Sequence, residues 1–205
     1  MYKRVIRFTV LIAVVLGLVG MAGCSGSEPI NKQQLAVLNG IVSDGAITNK
    51  QIQVIEIPYE LGQKFPAVDK MIKVKAEGKE KYGFIVSPLG YRAPINIMVV
   101  IDPGKNEVLG IRIMQQDETP GWGEWLVEPW FADRFKGKGV DNYLQRAILE
   151  AEKDNEIIQI TSATVSTQGV LNGVNAAMGI YRELVLGQES EPVSLNVEGF
   201  ITEIQ

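Results

Sequence analysis

Thr161-Ser162-Ala163-Thr164-Val165-Ser166-Thr167 places five hydroxyl side chains within seven residues. Ile157, Ile158 and Ile160 precede it as the end of a strand, and an apolar run at helical spacing follows. A strand-turn-helix junction of this kind exposes free amides and hydroxyls at a helix N-terminus, where a phosphate gains from both. The same residue types also satisfy the first amides of a helix as ordinary caps. Taken alone, the stretch leaves both readings open, an anion site and an over-supplied cap.

A second stretch, Asp117-Glu118-Thr119-Pro120-Gly121-Trp122-Gly123, reads as a loop. Trp122 stands between glycines there, and an aromatic ring on a loop at the end of a sheet can cover a planar ligand. Trp125, Trp130, Phe131 and Phe135 follow at helical spacing over Glu124–Phe135 and are expected to pack a helix onto the sheet.

Histidine is absent and Cys24 is the single cysteine. These absences remove most soft-metal sites, iron–sulfur and haem ligation by His, and Ser/His or Cys/His catalysis. Any redox chemistry would then need an organic cofactor, and no metal site is expected. The formal charge is −4 over 205 residues, and it is more negative once Lys3, Arg4 and Arg7 of the N-terminal segment are set aside. No basic cluster follows residue 24, so nucleic acid is not an expected partner.

Those three cations precede the apolar run Phe8–Gly23, which closes in Met21-Ala22-Gly23-Cys24. Residues 1–23 have the form of an export signal, and the run is short for a permanent membrane span. Small residues before a solitary Cys resemble a bacterial lipobox, with Cys24 as the lipidated residue; an uncleaved signal-anchor is the alternative. Either reading puts residues 25–205 outside the cytoplasm at a membrane surface. Residues 24–29 then form the lipidated Cys and a flexible tether.

The elements that must position the hydroxyl run are only partly patterned. Residues 30–70 read as an N-terminal extension, with a short helix around Lys32–Leu38 and strand signals over Ile52–Ile57. Lys73–Ser87 reads as two strands joined by the charged turn Glu77-Gly78-Lys79-Glu80-Lys81. Ile95–Ile101 is apolar on both faces and predicts an interior strand. Asp102-Pro103-Gly104-Lys105 supplies Pro and Gly for a type II turn, and Val108–Met114 returns with Leu109, Ile111 and Ile113 on one face. Tyr143, Leu144, Ala147, Ile148 and Ala151 predict a helix over 140–152. Val170, Leu171, Val174, Ala177, Met178, Tyr181, Leu184 and Val185 form the stripe of a helix that Gly187 ends. The tail, residues 187–205, alternates Val193, Leu195 and Val197 as an edge strand or strap.

Three separated segments resemble one family over roughly residues 70–186. The chain is similar to the FMN-binding domain of the G subunit of the Rnf complex and of the related C subunit of Nqr, the covalent flavin carriers of ion-translocating respiratory complexes. The family's Gly-Tyr-Gly-Gly-Pro-Ile segment is seen as Gly90-Tyr91-Arg92-Ala93-Pro94-Ile95. Its Glu-Thr-Pro-Gly loop is intact as Glu118-Thr119-Pro120-Gly121, followed by Glu128-Pro129-Trp130-Phe131 and Phe135-Lys136-Gly137-Lys138. Its Ser/Thr-Gly-Ala-Thr flavinylation motif aligns with Thr161-Ser162-Ala163-Thr164.

The resemblance implies an α+β fold, a mostly antiparallel twisted sheet with helices packed on it, forming a single FMN-binding domain with its core at 71–186. It implies FMN joined through its phosphate to Thr164 by an ApbE-type flavin transferase. Thr161, Ser162, Ala163, Ser166 and Thr167 would hold the phosphate end, Glu118, Thr119, Pro120 and Gly121 would border the isoalloxazine, and Trp122 would shield it. The implied role is electron transfer within an Rnf/Nqr-type complex coupled to ion translocation. The other members of that complex are then the partners, and no catalytic residue is assigned to this chain. A stand-alone flavinylated lipoprotein, a non-redox ligand-binding lipoprotein and a purely structural component are the alternative readings. Two departures bear on the covalent bond: Ser162 replaces the family Gly, and Ile158 stands where many members have Asp. Ser is tolerable at 162 only if the backbone there does not need a positive φ.

Overall fold

A computed structural model describes residues 28–42, 47–76, 78–200 and 202. The export segment, Cys24 and the tether through Ser27 lie outside the described residues. Among those described, no helix is long and apolar enough to cross a membrane.

Five strands form an antiparallel meander, β1 (Ile52–Ile55), β2 (Val68–Ala76), β3 (Lys79–Val86), β4 (Asn96–Asp102) and β5 (Glu107–Gln115), in the spatial order of the sequence. The α+β expectation holds, with helices on both faces of this sheet. Alternation explains the layering. Phe84, Val86, Ile97, Val99 and Ile101 face one core with α4 (Thr164–Tyr181), whereas Ile72, Val74, Ile85, Met98 and Val100 face a second core with α1 (Lys32–Val42). Strand β4 is therefore buried on both sides, as its unbroken apolar run predicts. Residues 30–70 contribute α1, β1 and the short helix α2 (Tyr59–Lys64), and β2 runs across the boundary expected at 70/71.

The β4–β5 hairpin forms, but with a different turn. Gly104 is not among the residues with positive φ, and Asn106 carries φ 56° instead, so the type II turn is not made. Asp102 Oδ1 accepts from the Gly104 amide at 2.9 Å, a short-range bond that competes with the type II geometry. The register shifts between Val100 and Ile101, which turns Leu109 to the α1 face while Ile111 and Ile113 stay with α4. Behind the turn, Lys81 and Asp102 pair at 2.8 Å, both largely buried.

Two expected helices are corrected. Glu124–Phe135 is three short helical turns, Gly123–Val127, α3 (Pro129–Ala132) and Asp133–Phe135. Pro129 lacks the amide needed to continue a helix and so starts a new one. Phe131 and Phe135 are buried, but Trp125 and Trp130 are 43% and 45% exposed, so these two indoles do not pack into the core. Residues 140–152 form no helix. Their regular part is strand β6 (Gln145–Ala147), paired in parallel with β7 (Glu156–Ile158), and Ile148 and Leu149 are left exposed.

Helix α4 forms as expected and continues through a wider turn, Arg182–Leu186, until Gly187 at φ 66°. It is buried well beyond one stripe, including Gly169, Gly173, Asn175, Ala176 and Ile180. The sheet covers one side, and Asn175 clasps both backbone groups of Leu144 at 2.8 and 2.9 Å on another. A Cβ on Gly169 would lie 2.5 Å from the Leu89 carbonyl oxygen, so glycine alone lets α4 approach the loop that carries Tyr91. The tail adds no strand among its described residues. It straps the domain, with the Leu89 amide on the Leu195 carbonyl and Asn172 Nδ2 on the Asn196 carbonyl.

Candidate functional site

The hydroxyl run lies where β7 ends and α4 begins. Gln159 leaves the strand with its amide on the Ala147 carbonyl at 2.9 Å. The Arg134 guanidinium, stacked 4.8 Å over the Trp130 ring, donates to the Ile158 and Gln159 carbonyls. Burial lowers the Arg134 pKa from its ordinary value. The chain then turns sharply, and Ser162 adopts φ 61°. The positive φ that a glycine would supply is therefore required here, and Ser162 takes it with a Cβ.

The hydroxyls divide by environment. Thr167 is fully buried and its Oγ1 accepts from the Ile160 amide at 3.1 Å, locking the turn to the helix. Ser166 is buried and donates to Glu118 Oε2. Thr161 is exposed. Thr164, the first residue of α4, donates from Oγ1 to Gln159 Oε1 at 3.2 Å. The N-cap position is Ala163, with no side-chain cap hydrogen bond, so the over-supplied cap is not what these residues make.

These residues border an open cleft of about 190 Å³, lined by Ser162, Ala163, Thr164, Val165 and Ser166 on one side and Tyr91, Thr119, Trp122 and Gly123 on the other. Glu118 sits beneath it, 3% exposed. Its carboxylate accepts from the Tyr91 amide at 3.0 Å, the Arg92 amide at 3.1 Å and the Ser166 hydroxyl. One buried carboxylate thus ties together the Tyr91 loop, its own loop and the first turn of α4. Charge-assisted bonds to three donors offset the burial of that charge. A Cβ on Gly123 would lie 2.6 Å from both Glu118 Cβ and Ser166 Oγ, so the close packing of this loop on the first turn of α4 depends on glycine there.

Of the expected site residues, Ser162, Ala163, Thr164, Ser166, Thr119 and Trp122 line the cleft. Glu118 braces it from below, Thr167 is structural, and Pro120, Gly121 and Thr161 are not among the lining residues. Tyr91, Gly123 and Val165 complete the wall. Tyr91 was visible in the Gly90–Ile95 segment, whereas Val165 carries no chemical signal. Trp122 is 48% exposed, so its indole stands at the cleft's mouth.

An uncapped helix N-terminus opening into a cleft walled by two aromatic residues is a site for an anion bearing a ring system, which a nucleotide-type cofactor provides. Residues 90–179 match the family model described as FMN-binding domain. It is 25% identical over 148 residues to the G subunit of the ion-translocating oxidoreductase complex of Haemophilus influenzae, covering 70% of each chain. It is 28% identical over 166 residues to the protein of that name from Pasteurella multocida, covering 77% of this chain and 80% of that one. Among solved structures, the C subunit of the Na⁺-translocating NADH-quinone reductase of Parabacteroides distasonis superposes with a TM-score of 0.57 at 16% identity, covering 77% of this chain and 92% of that chain. That likeness is one of fold.

Proposed function

We propose that the protein is an extracytoplasmic, membrane-attached electron carrier, a counterpart of the Rnf G subunit within an Rnf/Nqr-type ion-translocating complex, with FMN linked through its phosphate to Thr164. The match of residues 90–179 to the FMN-binding domain model and the names of the relatives support the class. One observation supports the residue: Thr164 begins α4 and lines the cleft half-buried, its hydroxyl bonded to the Gln159 side chain at 3.2 Å, while Ser166 and Thr167 are buried with their hydroxyls on Glu118 and the Ile160 amide.

The remaining wall follows from that assignment. Ser162, Ala163 and the first amides of α4 would hold the phosphate end, where the helix dipole favours negative charge. Tyr91, Thr119 and Trp122 would flank the ring. FMN supplies one- or two-electron transfer when bound. A threonine hydroxyl is a weak nucleophile near neutral pH, so attachment calls for a separate ApbE-type transferase. A tether replaces a binding equilibrium by an effective concentration on the order of millimolar, which keeps a flavin on a protein outside the cell.

The test is expression with the native export segment and a flavin transferase, followed by intact mass and gel fluorescence after denaturation. Wild type should gain one FMN-sized increment and Thr164→Val none. A denatured band without flavin, or one that keeps it in Thr164→Val, refutes the linkage. The segment Met21-Ala22-Gly23-Cys24 favours a second reading, a lipid-anchored carrier that serves another extracytoplasmic partner. Co-purification with the other members of such a complex separates the two.

A further inference from the structure

The hydroxyl of Thr164 does not stand free in the cleft. Its proton is directed to Gln159 Oε1 at 3.2 Å, and the same oxygen accepts from Arg146 Nη1 at 2.6 Å. Gln159 is held along its whole length. Its amide is on the Ala147 carbonyl, its carbonyl on the Arg134 guanidinium, and its side chain between Arg146 and Thr164. Arg146 comes from β6, which pairs with the strand that ends just before Gln159. Its Nε is buried without a partner, and no carboxylate pairs with its guanidinium among the described residues. A cation without a counter-charge, sharing one acceptor atom with the proposed attachment hydroxyl, suits a site that is to receive a phosphodiester anion.

We infer that Gln159, braced by Arg146, is the positioning residue for flavin attachment: it fixes the Thr164 hydroxyl before transfer, and Arg146 faces the phosphodiester afterwards. This rests on Thr164 being the attachment residue. In the transfer, Thr164 Oγ forms a bond to the FMN-side phosphorus of FAD, the pyrophosphate P–O bond breaks and AMP leaves. The hydroxyl proton passes to a base of the transferase, since an amide oxygen is too weak a base to keep it. Gln159 therefore acts by orientation. It holds the O–H in one rotamer, so that the lone pairs of Oγ1 are presented to the incoming phosphorus. Ile158 offers no carboxylate, and Gln159, one residue on, supplies the acceptor oxygen that touches Thr164.

The experiment measures transferase kinetics with FAD and varied concentrations of the purified unmodified protein, scored by intact mass. In Gln159→Leu, kcat for attachment should fall by about tenfold or more with KM unchanged. Gln159→Glu keeps an oxygen acceptor at the same reach and can pair with Arg146, so it should stay within roughly threefold of wild type. Arg146→Gln should slow attachment, and Arg146→Lys should recover part of the rate. A purely structural role would shift thermal stability or KM and would not be rescued by Glu. The inference is overturned if Gln159→Leu is modified at the wild-type kcat, or if Gln159→Glu falls with it while both melt as wild type. Wild type that takes no flavin at all, alongside Thr164→Val that takes none, overturns the covalent reading itself and this inference with it.

Discussion

Ser162→Gly should stabilise the unmodified protein. Ser162 holds φ 61° immediately before the N-cap of α4, a region where a Cβ meets the following carbonyl at a cost of about 1–2 kcal/mol. Glycine removes that strain but gains backbone freedom when unfolded, which costs about 0.4–1 kcal/mol. Ser162 is exposed and its hydroxyl holds no hydrogen bond to the described protein, so no contact is lost in the exchange. The net gain is roughly 0.5–1 kcal/mol, which for a domain of this size raises Tm by about 2 °C. The assay is thermal unfolding by circular dichroism of protein made without a flavin transferase, with Ser162→Val as the opposing control, since a β-branched residue is least tolerated at positive φ. If Ser162→Gly melts at or below wild type while Ser162→Val melts unchanged, the turn does not impose the strain assigned to it. The substitution restores the residue of the Ser/Thr-Gly-Ala-Thr pattern, so the same measurement separates the motif's need for a backbone shape from any need for a side chain.

Glu118→Ala removes the carboxylate that holds the Tyr91 and Arg92 amides and the Ser166 hydroxyl; unfolding stability should drop by roughly 3 kcal/mol, and urea titration of the unmodified protein checks it. The Asp102 carboxyl is pushed up by burial, but the Lys81 ion pair and the Gly104 amide outweigh this and hold it below its ordinary value. A carboxyl lowered on folding contributes stability above its unfolded pKa, about 3.9, and loses it as pH falls through the folded value. Urea midpoints should therefore decline below about pH 4. Asp102→Asn should be less stable near neutrality, because Lys81 loses its partner, and should decline less steeply in acid; a parallel acid decline in both proteins would clear Asp102 of the effect.

The parts of the fold legible in the sequence are those whose pattern one layer of packing decides. Ile95–Ile101 is apolar on both faces because α1 and α4 both cover β4, and the Val170–Val185 stripe faces that same sheet. Tyr143, Leu144, Ala147, Ile148 and Ala151 mislead because the helical spacing is coincidental. Leu144 is clasped by Asn175, Ala147 is paired with Ile158, and Ile148 remains in solvent. None of these relations leaves a trace in the local spacing. The tryptophans mislead for a different reason. Pro129 breaks the helix that would have carried them inward, and Trp130 instead supports Arg134, whose donors hold the carbonyls at the end of β7. In the site, the hydroxyl run and the Glu118 loop were visible by residue type. The joining of Gln159 to Arg146, and the inward turn of Glu118, exist only once β6, β7 and α4 meet.

The most informative residue in the hydroxyl run is the one without a hydroxyl. A serine, threonine or aspartate at an N-cap contributes about 1 kcal/mol over alanine by closing one of the free first-turn amides, and this stretch has hydroxyls on both sides of position 163. The N-cap is nevertheless Ala163. Of the neighbouring hydroxyls, three are committed elsewhere, Thr167 to the Ile160 amide, Ser166 to Glu118 and Thr164 to Gln159, and that of Ser162 stays exposed rather than bending back onto the helix. A helix that forgoes its cap in such a sequence keeps its amides and the positive end of its dipole for something else. Filling position 163 with a capping side chain would set an internal acceptor against any phosphate at Thr164 for the same donors. The small residue at the cap and the threonine beside it are therefore one arrangement, which suits the proposed linkage because the phosphate would bring the acceptor that the chain itself lacks.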